Sequence, residues 1–337
     1  MSRGSPDQPL PKPRPFRLIV AGPILLATVA AALGSSPTAA AEPPITAAVF
    51  APDGTSVVTA SQAGIEVRTW PELELERAIG TRLLHVHDLC FSSDGKKLAA
   101  AGGRPAEEGS VEWFSWPRCE TIELVTGHED LVYAISYAPD GTHWATAGAD
   151  RLALVWQDGQ ATPLVQLDGH SQAVLAAAFL SDGRTLLTAG IDGSLLAWNA
   201  ADGSQLRAMT NHTAPVLGLA VRPATPAGAE PWVASVSSDR TVRLWQPEIG
   251  RMVRFARLAS PPRSVAWTFD GRQIVVGCED GHVRVVDPRT VQVVEDLPAI
   301  DGWVHSLAAS PIRREVLAAG DAAAIRRISL KSEATRP

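Results

Sequence analysis

Cysteine, tyrosine and methionine are scarce in this chain, with three, two and three residues among 337. Three cysteines cannot build the disulfide framework of a small stapled domain, and at least one must stay unpaired. No Cys-x-x-Cys-His run occurs, which excludes covalent haem on motif grounds. Basic clusters are missing as well: Arg313-Arg314 and Arg326-Arg327 are isolated pairs in a chain of net charge −6. Phosphate neutralisation needs clustered Lys and Arg, so nucleic acid is not an expected partner. No Gly-rich loop opens a helix to cradle phosphate, and no cofactor is expected. Long apolar runs are confined to one place, Leu18 to Leu33.

That run follows Arg3, Lys12, Arg14 and Arg17 and precedes Ser35-Ser36-Pro37-Thr38 and Ala39-Ala40-Ala41. Charged, apolar and small-residue segments in this order describe a signal peptide over residues 1–41, cleaved near Glu42. Its rival is an uncleaved anchor, but the stretch is short for a bilayer span and is interrupted by Pro23. The sequence reading is therefore an exported protein, periplasmic or extracellular, with no stable membrane span after cleavage. Without the four basic residues and Asp7 of that segment, 26 basic and 35 acidic residues remain, a net charge of −9.

What the chain has in abundance is repetition. His128, His170 and His212 recur at intervals of 42 residues, and each opens a segment that closes on Trp156, Trp198 or Trp245. Between them recur a hydroxyl and an acid: Thr146 and Asp150, Thr188 and Asp192, Ser235 and Asp239. A fixed period of this size marks a repeat architecture. Anchoring on the Trp position gives Trp70, Phe114, Trp156, Trp198, Trp245, Val286 and Ile328, hence seven units. A hairpin signal recurs in register at Asp53-Gly54, Asp94-Gly95, Asp140-Gly141, Asp182-Gly183 and Asp270-Gly271. Unit five replaces it with a longer loop over residues 224–231.

These segments resemble the WD-repeat family, in an exported, bacterial-type form. The resemblance implies an all-β fold, a seven-bladed β-propeller of four-stranded blades spanning residues 42–331. The blades fall at about 45–80, 81–126, 127–168, 169–210, 211–257, 258–299 and 300–330, followed by a tail over 332–337. The last blade either has three strands or is completed by the segment from Ser35 to Pro44. Cys90 is expected on the innermost strand of unit two, Cys119 on its outermost strand and Cys278 on the second strand of unit six, all as buried thiols.

A Ser, His and Asp together suggest a hydrolase, but the same set recurs three times, and an active site is rarely built in triplicate. In the WD-repeat family, these residues and the Trp form a structural tetrad, so the three sets are expected to hold the fold rather than to catalyse. Function is expected on one rim. Carried over from the family, the rim positions include an apolar arc of Leu131, Tyr133, Leu175, Ile191 and Leu217, and a polar arc of His85, His87, Trp303 and His305. The enlarged turn from Gly102 to Gly109 belongs to the same rim. An apolar patch with an aromatic member suits a protein or peptide partner and a non-enzymatic scaffold. The alternative is a small molecule, glycan or metal site, or a hydrolase, at the top of the channel.

Overall fold

The computed structural model describes residues 42–223 and 232–331. They form seven antiparallel sheets arranged as the blades of a propeller around a channel. In each sheet the strands follow chain order from the channel outwards. The first six sheets have four strands, and the seventh has three, ending on Ile325–Ser329. Residues 35–41 lie outside the described residues, as do the 224–231 loop and the 332–337 tail. Among the described residues no helix is long and apolar enough to cross a membrane.

The second and third strands are nearly all buried because each is covered by a neighbouring blade on either face. Such strands read as continuous apolar runs rather than as alternating ones, for example Leu186, Leu187 and Ala189 beside Leu195, Leu196 and Ala197. Alanines at Ala145 and Ala147 let sheets approach, while Val174, Phe179 and Leu186 of blade four fill the seam to blade three. Trp144 stacks on Trp156 with centroids 4.8 Å apart, and Trp113 of blade two meets Trp144 edge-on. Burying a side chain of this kind contributes about 1.5–3 kcal/mol. The five Asp-Gly turns close the first hairpins with left-handed glycines, as at Gly95, whose φ is 69°.

Inner strands are stapled to their neighbours by side chains. Thr46 Oγ1 donates to the Val86 carbonyl at 2.6 Å, Asp88 accepts the Ile135 amide at 2.9 Å, and Ser136 Oγ accepts the Phe179 amide at 3.1 Å. The ring closes where blade seven meets blade one. Phe50, Val57 and Trp70 pack there against Ala308 and Leu317, and the Trp70 indole donates to Glu315 at 3.2 Å.

That contact corrects the sequence alignment of unit one. Strand pairing matches Val57 with Arg68, as it matches Trp144 with Trp156, so Arg68 and not Trp70 holds the Trp position. The turn of blade one is shorter by one residue, and Trp70 lies two residues beyond the paired position. The enlarged turn of unit two is also not a loop. Its strands Lys97–Arg104 and Glu108–Ser115 remain paired up to Arg104 and Glu108, a lengthened hairpin whose tip is tied to Asp130 through the Ala106 amide at 2.8 Å. The cysteine expectation is corrected in part. All three thiols are free, but only Cys278 is fully buried, Cys90 is half-buried, and Cys119 sits half-exposed in the turn before the outermost strand. Burial raises the Cys278 thiol to about 11 and the Cys90 thiol to about 12, so neither is poised for nucleophilic chemistry.

Candidate binding site at the channel mouth

The tetrads form as relays. In blade three, the Trp156 indole donates to Thr146 Oγ1 at 2.9 Å, the threonine hydroxyl meets His128 Nε2 at 2.8 Å, and His128 Nδ1 meets Asp150 at 2.9 Å. An indole N–H only donates and a carboxylate only accepts, so the proton direction runs from Trp to Asp. Blade four repeats it with Trp198, Thr188, His170 and Asp192, and blade five with Trp245, Ser235, His212 and Asp239. Each hydroxyl is committed in both directions, which leaves no free nucleophile in any set.

The remaining chemistry gathers at the top of the channel through one backbone device. Every innermost strand carries a β-bulge near its start, visible as a register shift against the second strand. The extra residues are Thr46, His87, Tyr133, Leu175, Leu217, Arg263 and His305, one per blade. A bulge re-aims its side chain out of the pleat. Among the described residues, those seven line a cavity of about 250 Å³ at the mouth.

The ring has two characters. Tyr133, Leu175 and Leu217 of blades three to five form an apolar wall. Opposite them, Arg263 donates through Nε to Glu279 at 2.9 Å and lies 3.9 Å over the Trp303 ring, which is 41% exposed. His305 Nε2 is tied to Asp321 at 2.8 Å, and Asp321 also accepts the Trp303 amide at 2.7 Å. His87 meets Tyr133 edge-on at 5.1 Å, and its Nε2 is buried without a partner. Burial, then the neighbouring His85, lowers the His87 imidazole to about 4, so it is neutral at ordinary pH. Beneath it, burial raises the Asp88 carboxyl to about 7 against the amides of Ile135 and Leu89, which pull it down.

The structure thus brings Tyr133, Leu175, Leu217, His87 and His305 together with Thr46 and Arg263, the rim positions that the family resemblance gives in units one and six. Leu131 is a correction: it is buried, at 8% exposure, under its own turn and offers no open surface. Ile191, His85 and Trp303 stand outside the ring, on the surrounding rim. His85 and His87 do not share a strand face as strict alternation implies, because the bulge at His87 breaks the period; their rings are 6.3 Å apart. Among the described residues, no group of three or more His, Cys, Asp or Glu side chains is placed to hold a metal ion. Three of the bulged positions, Tyr133, Leu175 and Leu217, each lie five residues after a tetrad His.

Comparison with known families fits this architecture. The family described as WD domain, G-beta repeat matches residues 119–157, 161–199 and 203–246, and the Anaphase-promoting complex subunit 4 WD40 domain matches 233–308. Coronin-7 of Rattus norvegicus is 39% identical over 71 residues, which are 21% of this chain and 7% of that protein. The intraflagellar transport protein 122 homolog of Xenopus tropicalis is 32% identical over 71 residues, 21% of this chain and 6% of its own. The U5 small nuclear ribonucleoprotein 40 kDa protein of Bos taurus is 34% identical over 93 residues, 26% of this chain and 25% of its own. The chain thus spans a quarter or less of the length of these relatives. They overturn the exported, bacterial-type reading: these are eukaryotic proteins named for intraflagellar transport and for a nuclear ribonucleoprotein, work done inside the cell. Residues 1–41, whose sequence pattern carried that reading, lie outside the described residues. What stands is a chain of WD repeats folded as a seven-bladed propeller, an architecture that typically serves as a non-enzymatic protein-interaction scaffold.

Proposed function

We propose that this WD-repeat propeller is a non-enzymatic scaffold that holds a protein or peptide partner at its channel mouth. One observation carries the reading: seven bulges aim one side chain per blade at a single opening. The apolar wall of Tyr133, Leu175 and Leu217 faces the Arg263 guanidinium and two imidazoles across it. A peptide offers the matching pair, an apolar side chain for the wall and a carbonyl or carboxylate for the guanidinium nitrogens that Glu279 leaves free. The acidic balance of the chain, −6, and the lack of basic clusters favour a protein over a nucleic acid.

Tyr133 is the anchor this reading singles out, because a rigid aromatic at the centre of a binding site contributes most. Partners captured from cells by the wild-type chain are to be titrated against Tyr133→Ala and against Arg313→Ala, an exposed change on the opposite face. The expected loss for Tyr133→Ala is about 2 kcal/mol or more, roughly thirtyfold in affinity. Arg313→Ala is expected to bind as wild type does. Equal affinity of both variants for every partner moves the binding surface away from the mouth.

A further inference from the structure

The two faces of the propeller differ in charge. Two sets of connections build the face that carries the mouth: the loops that enter the innermost strands and the turns between second and third strands. Among the described residues these connections hold eleven Asp or Glu and three basic residues, Arg82, Arg151 and Arg240. Arg82 is already committed to the buried Glu112 at 2.9 Å. The connections of the opposite face, counted in the same way, hold twelve acidic and eight basic residues. The acidic surplus is therefore concentrated around the mouth.

Five of these acids stand in the turns between second and third strands of five consecutive blades: Asp150, Asp192, Asp239, Asp280 and Asp321. Burial works against the charge of Asp150, Asp192, Asp239 and Asp321, yet their hydrogen bonds hold all four below the usual carboxylate range. The Arg284 guanidinium holds Asp280 there as well. Arg243 and Arg284 offset the charges of Asp239 and Asp280, at 3.2 and 2.7 Å. Asp150 is met by His128 and by the amides of Glu129 and Leu152, which leave its charge in place. At the mouth itself, Arg263 is the one Arg or Lys in the ring of seven, and it stands between two carboxylates. Glu279 accepts from its Nε at 2.9 Å, and its charge helps to hold Asp321 low. Across the opening the phenol of Tyr133 is raised by burial and then by the charge of Asp130. Both sides of the mouth are thus negative.

We infer that the partner held at the mouth is a basic peptide segment, one that combines an apolar side chain with several Lys or Arg; the inference rests on the reading of the mouth as a peptide site. The apolar side chain meets Tyr133, Leu175 and Leu217. Flanking cations meet the surrounding acids, among them Glu129 and Asp301, which are exposed in the loops that enter blades three and seven. Arg263 then takes a backbone carbonyl, because a carboxylate brought to it also approaches Glu279 and Asp321. An acidic segment would face like charges around the whole opening, which suppresses a wrong partner and slows its encounter, whereas a basic one is steered in.

Fluorescence anisotropy of the full chain with three labelled peptide pools tests the inference. Each pool has a fixed leucine pair, flanked by positions drawn from Lys and Ser, from Glu and Ser, or from Gly and Ser. The Lys pool is expected to saturate and the other two are not, and its affinity should fall about tenfold as salt rises from about 50 to about 300 mM. Glu129→Lys combined with Asp301→Lys, two exposed positions outside the tetrads and the ring of seven, should weaken the Lys pool about tenfold. Glu72→Lys combined with Glu248→Lys makes the same change of net charge on the opposite face and should bind as wild type does. Tyr133→Ala separates this inference from the reading beneath it. A Glu or Gly pool that binds as tightly as the Lys pool and is lost in Tyr133→Ala leaves the mouth a peptide site and overturns the basic class. A Lys pool indifferent to Tyr133→Ala overturns both. Absence of saturation with the Lys pool, or equal effects of the two double reversals, overturns the inference as well.

Discussion

Asp192→Ala is expected to lower the free energy of unfolding by about 3 kcal/mol while leaving the fold in place. Asp192 accepts four groups: His170 Nδ1 at 2.9 Å, the amides of Ser171 and Ser194 at 3.0 and 3.1 Å, and Ser194 Oγ at 2.6 Å. Truncation strands the imidazole N–H in a buried ring whose other nitrogen is already engaged by Thr188. Ser194 Oγ, 3.4 Å from His170 Nδ1, recovers part of the loss, as does water at the rim. Orphaned buried groups cost about 1–3 kcal/mol each, so one or two of them set the scale. The carboxyl has a pH signature as well. Burial works against its ionised form, yet hydrogen bonds from Ser194 and the contact with His170 hold it below the usual range. A depressed folded pKa means stability that is present above the unfolded value, about 3.9, and lost as pH falls through the folded one. Wild type should therefore lose part of its advantage over the variant in strong acid. Chemical denaturation at neutral and acid pH checks both statements. An unchanged midpoint at neutral pH would show that the tetrad does not hold the blade.

The tetrads were legible in the sequence because a buried polar network constrains residue type at four positions at once, and the blade period repeats the constraint. The same holds for the Asp-Gly turns, where a left-handed backbone selects glycine. The bulges have no such signature in residue type. Threonine, histidine, tyrosine, leucine, leucine, arginine and histidine occupy the seven bulged positions, since a bulge is a property of pairing and not of side-chain chemistry. Rim positions carried over from the family therefore mixed true mouth residues, such as Leu175 and Leu217, with the covered Leu131. Trp70 misled for a different reason. It is an aromatic near the expected place, but its work is to close the ring against Glu315, and only strand pairing separates that role from the tetrad position held by Arg68.

Asp88→Asn is expected to change how stability depends on pH, by up to about 4 kcal/mol across the range. Burial raises the Asp88 carboxyl from 3.8 to about 7, and its neighbours offer two amides, from Ile135 and Leu89, rather than a cation. Between those values the folded state holds a proton that the unfolded state releases. Stability from this group is thus fully present below about 3.9 and lost as pH rises through about 7. His87, next in the chain, has the opposite sign: its folded pKa is lowered from 6.5 to about 4, so its contribution is present above 6.5 and lost as pH falls. The two oppose each other over most of the range, and the wild-type profile should be shallow. Asparagine mimics the protonated carboxyl in shape and its Oδ1 still accepts the Ile135 amide, while the Leu89 amide loses its acceptor at every pH, so the variant removes the falling component and adds an offset that does not vary with pH. Its stability should rise from pH 4 to pH 6.5 through His87 alone, and its margin over wild type should widen up to pH 7. His87→Phe should show the reverse, a decline across the same interval. Urea titrations of the three proteins at a series of pH values measure all of this. Parallel profiles for wild type and Asp88→Asn would mean that Asp88 is ionised in the folded channel, and the charge at the mouth would then be more negative by one.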